Sequence, residues 1–388
     1  MFTLSLRLFL IVLALALAAC ASKPVKVLEP DIVAQPLTPQ KQPHKKVAKP
    51  KLKPIPKPLI GLALVNSLLA PELVDRSAWA EDIYTAFKSI NIPVNKENVC
   101  AVLAEIEQES SFQAEPVVYG LKTIVRRELE AARQKYLIPR WVMERSFELK
   151  SPDGRSYKER IEALKTESDI DRLFEDMISE IPFGKKMFAS YNPVRTGGPM
   201  QVSWDFAHEY VANRSYPYPI KNSLRNELFS RKGGLYFGVA YLLDYPTSYS
   251  SMLFRFADFN AGIYSSRNAA FQNAVSSLSK VRLVKDGDLL RYREGVALQD
   301  PSQTMRAILS VSARLNMDRT EIFHDLLLEK TSAFERSRLF KKIFTIAASL
   351  PRELIPEIEL RGPKLSRKLT TSMYVEQVAR RYNKCLKK

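Results

Sequence analysis

Apolar positions recur at helical spacing through most of the chain after residue 60, and the clearest case is 95–112, NKENVCAVLAEIEQESSF. Asn95 is a suitable N-cap, and Val99, Val102, Leu103 and Ile106 follow at the i, i+3, i+4, i+7 spacing of a buried stripe. Glu109 is the next position on that stripe, three residues past Ile106 and seven past Val102, while Glu105, Glu107 and Gln108 are expected on other faces. A carboxyl carried into the core must be paired, protonated or functional, because an isolated buried charge is costly.

The same spacing predicts further helices. Residues 75–90 carry Trp79, Ile83 and Phe87 on one stripe, with Pro93 separating them from the Glu109 helix. Residues 121–136 and 168–181 read as amphipathic surface helices, with a turn at Ser151, Pro152, Asp153 and Gly154. More helices are expected at 233–245, 266–279, 304–315, 319–327 and 337–348, and a basic amphipathic one at 372–388. Few stretches alternate, and glycine is scarce at 13 of 388 residues, so the expected fold class is mainly α. No internal repeat is present.

The N-terminus changes the picture. Arg7, an apolar run over 8–17 and small residues at Ala18 and Ala19 make a secretory leader over 1–19, too short to be read first as a membrane span. Leu17-Ala18-Ala19-Cys20 resembles the lipobox of bacterial lipoproteins, which implies lipidation of Cys20. With Ala rather than Asp at position 21, it also implies an outer-membrane anchor facing the periplasm of a Gram-negative bacterium. Residues 20–59, rich in Pro and Lys, cannot bury enough apolar surface to fold and read as a tether. Extended at ~3.1 Å per residue, it reaches on the order of 100 Å. Much of the formal charge of +17 lies in this part, which leaves about +9 on the remainder, a value suited to an anionic polymer or a membrane surface. Secretion argues against a nucleic-acid partner.

Most familiar catalytic patterns are missing. His44, His208 and His324 are scattered, there is no HExxH and no clustered Cys/His set, and neither GxSxG nor a Walker A loop occurs. No metal or cofactor is expected. Gly233, Gly234 and Gly238 do not form a dinucleotide fingerprint and are read as permitting close helix packing. With Cys20 lipidated, Cys100 and Cys385 remain in an oxidising compartment, where an even pair suggests a disulfide pinning the last helix to the Glu109 helix, with two separately buried thiols as the alternative.

Four short stretches in order carry a second resemblance. Glu109-Ser110-Ser111-Phe112 resembles the E-S-x-F closing the catalytic helix of soluble-lytic-transglycosylase-type enzymes of the lysozyme-like superfamily. Gly198-Pro199-Met200-Gln201 resembles their G-L-M-Q loop, 238–242 their G-x-x-Y-L helix, and 257–262 their A-x-Y-N-A-G segment. The resemblance covers about 95–279 and implies a lysozyme-like helical catalytic domain over 60–280. It leaves 281–388 as a helical C-terminal region and 120–190 as an inserted helical subdomain beside the cleft, a possible site for a protein partner. It further implies cleavage of the MurNAc–GlcNAc bond of peptidoglycan, with Glu109 as sole acid/base and the sugar N-acetyl group assisting to give a 1,6-anhydro product. Ser110, Met200, Gln201, Tyr241 and Asn260 would contact substrate. A non-catalytic wall-binding or scaffolding lipoprotein that kept the fold is the alternative, and a muramidase using water a third.

Two departures bear on the site. Pro199 replaces the usual Leu, and Phe259 replaces the tyrosine of the last segment, so a phenol beside Glu109 would have to come from Tyr191, Tyr241 or Tyr264. Glycosidases usually employ a second carboxylate, for which Asp205 and Asp258 are candidates by position.

Overall fold

The computed structural model describes residues 60–212, 214–293, 295–360 and 369–388. The leader, Cys20 and the tether lie outside the described residues. The chain folds as a mainly helical protein around three apolar cores, with two-residue strands paired into three small antiparallel hairpins.

The first core is built by α1 (Gly61–Leu68), α2 (Arg76–Ser89) and α3 (Lys96–Glu109), and the chain returns to it much later. Asn95 caps α3 by accepting from the Asn98 N–H at 2.8 Å, as its sequence position implies. The stripe of Val99, Val102, Leu103 and Ile106 is buried, but so are Cys100, Ala101, Ala104 and Glu105. This helix is therefore enclosed on nearly all sides rather than along one face.

The second core is separate. It gathers apolar side chains from α4 (Leu121–Lys135), α5 (Arg140–Phe147), α6 (Tyr157–Glu162), α7 (Glu167–Ser179) and α8 (Gly184–Phe188), and Phe229 joins it. Buried Asp171 of α7 ties it to the rest through Arg225, whose guanidinium also bonds the Val194 carbonyl. Tyr119, Leu137, Trp141 and Phe183 stay exposed in this region.

Strands β1 (Thr196–Gly197) and β2 (Val202–Ser203) form a hairpin, followed by α9 (Trp204–Ala212), α10 (Leu224–Phe229), α11 (Arg231–Leu243) and α12 (Met252–Ala261). The third core forms between α13 (Ser265–Ser279), α14 (Gln303–Leu309), α15 (Ser312–Leu315), α16 (Arg319–Leu326) and α17 (Arg338–Ile346). It thus begins inside a helix that the resemblance assigns to the catalytic domain.

The last helix, α18 (Thr371–Leu386), does not join the third core. Its Tyr374, Val375, Val378 and Cys385 enter the first one, against α3 and α12. The Cys100–Cys385 disulfide closes that contact across 285 positions of sequence, with Cα atoms 5.5 Å apart. Arg381 adds a pair to Glu107 at 3.6 Å, and Lys388 bonds the Leu68 carbonyl. The helices expected from periodicity are present to within about a turn, except that the one expected at 304–315 is divided into α14 and α15, and short ones such as α1, α8 and α10 have too few turns to show a period.

Candidate active site

Helix α3 ends at Glu109, and the chain reverses there through Ser111 and Phe112, both at positive φ (51° and 60°). Left-handed backbone at a phenylalanine is held only where the surroundings compel it. Here the Phe112 ring packs edge-on against buried Trp79, centroids 5.4 Å apart. Glu109 is left half-buried, at the negative end of the α3 dipole, where a neutral carboxyl is favoured over a charged one.

Its partner is a phenol, though not one of those anticipated. The Tyr374 hydroxyl lies 2.6 Å from Glu109 Oε1 and 2.5 Å from Glu105 Oε2. Tyr191 is an exposed residue of a short turn, Tyr241 packs against Phe206 and Phe259, and the Tyr264 hydroxyl donates to the Pro246 carbonyl. Tyr374 stands 265 positions from Glu109 in a region the resemblance does not reach, so motif reasoning missed it. Its apolar stripe with Val378 and the Cys385 pairing were the signals that could have led there.

The second correction concerns Glu105, expected to point elsewhere. It is fully buried, at 0% exposure, on the same side of α3 as Glu109. Positions i and i+4 differ by only about 40° around a helix, so two glutamates at that spacing share a face. The error came from assuming a single buried stripe, whereas α18 covers a second side of α3.

Neither earlier candidate for a second carboxylate is near this role. Asp205 is exposed in the first turn of α9. Asp258 is buried and saturated, accepting from the hydroxyls of Tyr245, Tyr249 and Ser265 and from the Tyr264 and Ser266 N–H groups. It fixes the α12–α13 junction.

Burial raises Glu105 well above the ordinary carboxyl range, and the neighbouring Glu109 charge pushes in the same direction. Glu109 is raised as well, by burial, with the Tyr374 hydrogen bond opposing. Burial, then the two carboxylates, keep the Tyr374 phenol protonated. Because the folded state holds the Glu105 proton more tightly than the unfolded chain, its stabilising share is complete below about pH 4.3 and is lost as pH rises through the folded-state value. Glu105→Gln removes that dependence. Thermal unfolding across a pH series should therefore show wild type losing Tm relative to Glu105→Gln as pH rises above about 4.3.

The remaining motif residues are brought together in a chain of contacts. The glycines of α11 admit two neighbours: Gly233 and Gly234 lie against the Glu227 and Leu228 carbonyls of α10, a close helix approach as expected, while Gly234 and Gly238 also face the 198–200 loop. Gly198, at φ 74°, leaves no room for a side chain against the Gly234 Cα, and a Cβ on Gly238 would fall 2.2 Å from Met200 Sδ and 2.6 Å from Met200 Cβ. Gly238→Ala must push the hairpin away. That overpacking costs about 1–3 kcal/mol, more than the gain of roughly 1 kcal/mol that alanine brings to a helix, so thermal denaturation should give a lower Tm.

From α11 the Tyr241 ring meets Phe259 on α12 edge-on at 5.3 Å, and Phe206 meets Tyr241 at 4.8 Å, giving a half-buried aromatic wall. Next to Phe259, Asn260 Oδ1 accepts from Thr371 Oγ1 at 3.1 Å, one turn of α18 before Tyr374. Asn260 therefore reaches the glutamates through α18 and not directly. Met200 is fully buried as a core residue, and Ser110 donates back to the Ile106 carbonyl of its own helix. Gln201 serves its own hairpin, accepting from Thr196 Oγ1 and donating to the Gly198 carbonyl. Among the described residues, no group of His, Cys, Asp and Glu is arranged to hold a metal ion.

A family model described as "Protein of unknown function (DUF1615)" matches residues 72–388. An Escherichia coli (strain K12) protein described as "Uncharacterized protein YaiW" is 43% identical over 330 residues, covering 84% of this chain and 89% of that protein. No solved structure matches the chain.

Proposed function

The chain belongs to the DUF1615 family, whose description names no activity, and from the site geometry we propose that it is a lysozyme-like lytic transglycosylase acting on peptidoglycan. The observation that carries this reading is Glu109 itself: a half-buried carboxyl at a helix end, raised above its ordinary range and held by a neutral phenol rather than by a cation. Such a group keeps its proton to higher pH than an ordinary carboxyl and is placed to deliver it to a glycosidic oxygen. The wall of Phe206, Tyr241 and Phe259 beside Asn260 offers apolar faces and one amide, which suits an N-acetylated sugar.

In this mechanism Glu109 protonates the leaving oxygen while the sugar's N-acetyl oxygen attacks the anomeric carbon. The resulting carboxylate then takes the proton of the C6 hydroxyl as that oxygen closes the 1,6-anhydro ring. No second carboxylate touches the sugar. Glu105 cannot, because it is fully enclosed, and this speaks against a muramidase with two flanking carboxylates. Lipidation at Cys20 and an outer-membrane, periplasm-facing location belong to the same proposal, with the tether carrying the enzyme to the wall. The exposed aromatic and aliphatic side chains of 119–183 support a protein partner on that subdomain.

A second reading, a wall-binding lipoprotein without activity, draws on Gln201 and Ser110, whose polar groups are occupied within their own segments. Incubating the purified protein with intact sacculi separates the two. The transglycosylase releases soluble muropeptides over time, whereas a binder co-sediments with the sacculi and releases none.

A further inference from the structure

One phenol oxygen touches two carboxyl oxygens at hydrogen-bonding distance, yet a neutral phenol has one hydrogen to give. The second contact needs a proton from a carboxyl. With the phenol protonated, the three groups therefore hold at least one carboxyl proton in this geometry. Glu105 Oε1 points to the same place for it, since that atom is buried and has no hydrogen-bond partner among the described residues. An unpaired oxygen is far less costly on a neutral carboxyl than on a carboxylate.

The groups facing Glu105 are few. Helix α3 contributes Glu109, and α18 contributes Tyr374 and Arg381, the last paired at 3.6 Å with Glu107. Helix α1 carries no charged side chain. Helix α11 carries Arg231 and Lys232 in its first turn, where Arg231 is bound to Asp82, and the phenols Tyr236 and Tyr241, of which Tyr236 donates to the Ser215 carbonyl.

Building on the glycan-cleaving reading of Glu109, we infer that Glu105 is the proton store of the site, passing its proton through the Tyr374 hydroxyl to Glu109. The Glu105 Oε2 proton moves to the phenol oxygen as the phenol proton moves to Glu109 Oε1. The phenol ends neutral, the charge of −1 passes from Glu109 to Glu105, and no outside acid is required. In this role Glu105 and Tyr374 are positioning residues, since neither meets the sugar. The pair titrates as a unit and keeps its shared proton to higher pH than Glu109 would alone, because losing it leaves two carboxylates side by side.

The test compares wild type with Glu105→Gln, Tyr374→Phe, Glu109→Gln and Glu107→Gln, using infrared spectra at neutral pH and the pH profile of glycan cleavage. Because Glu329, raised by burial to about 7, can add a band of its own, the readout is the difference from wild type: the Glu105→Gln difference spectrum should show the C=O band of a buried protonated carboxyl, and the Glu109→Gln difference spectrum should not. The alkaline limb of kcat/KM should move to lower pH by about one unit or more in Glu105→Gln. Tyr374→Phe, which cuts the path and removes the hydrogen bond that holds both carboxyls down, should instead lower kcat while moving the alkaline limb to higher pH, and this readout stands even if Glu105→Gln does not fold. Glu107→Gln, exposed and paired only with Arg381, should change neither readout. No such band in the Glu105→Gln difference spectrum, or a kcat unchanged in Tyr374→Phe, overturns the inference. If wild type cleaves no glycan, the transglycosylase reading falls, and the infrared comparison still decides where the proton resides.

Discussion

Glu109→Gln should cut glycan cleavage by ~10²-fold or more, the scale of a lost general acid, while the protein unfolds at nearly the wild-type temperature. The amide keeps the shape of the carboxyl and can still hydrogen-bond to the Tyr374 hydroxyl, so the α3–α18 contact survives. What it lacks is the proton for the leaving oxygen and the base for the C6 hydroxyl. Initial rates of muropeptide release at matched protein concentration, with thermal scans alongside, separate a chemical loss from a folding one. A mutant with the wild-type rate would remove Glu109 from the chemistry.

The largest effect on stability is expected from the disulfide. Replacing Cys100 and Cys385 by serine opens a loop of 285 positions, and losing a native disulfide costs about 2–5 kcal/mol. The buried sulfurs also become hydroxyls in an apolar setting, which adds to the cost. Denaturant titration should show a lower midpoint for the double variant and for the reduced wild type. Activity should fall with it, because Cys385 holds the same helix that presents Tyr374 to both glutamates. Reduction that left the midpoint unchanged would mean that apolar packing alone secures α18.

Much of α3 was legible in the sequence. A cap, a stripe of apolar residues and a carboxylate continuing that stripe are local features, and Asn95, Val102, Ile106 and Glu109 behave as such features require. The cysteine pair was legible as well, because the apolar leader implies export, and two thiols left in an exported chain suggest the bond that is found. Glu105 was misread because the buried stripe was drawn too narrow: it lies only about 40° from Glu109 on the helix wheel, and α18, from the far end of the chain, covers both. Tyr374 was missed because it lies 265 positions from Glu109, where only its stripe with Val378 and the Cys385 pairing point to it. The glycines of α11 illustrate a smaller limit, since small residues in a helix announce a close approach without saying what makes it, and here both α10 and the 198–200 loop do.

The most direct test of the central claim is the mass of the glycan ends left after the purified protein digests peptidoglycan. A single half-buried acid/base at Glu109, with no second carboxylate reaching the sugar, predicts ends that carry the 1,6-anhydro ring and are therefore lighter by one water than hydrolysed ends. Reducing ends would instead show that water is the nucleophile, and intact strands that remain bound to the protein would contradict an enzymatic role altogether.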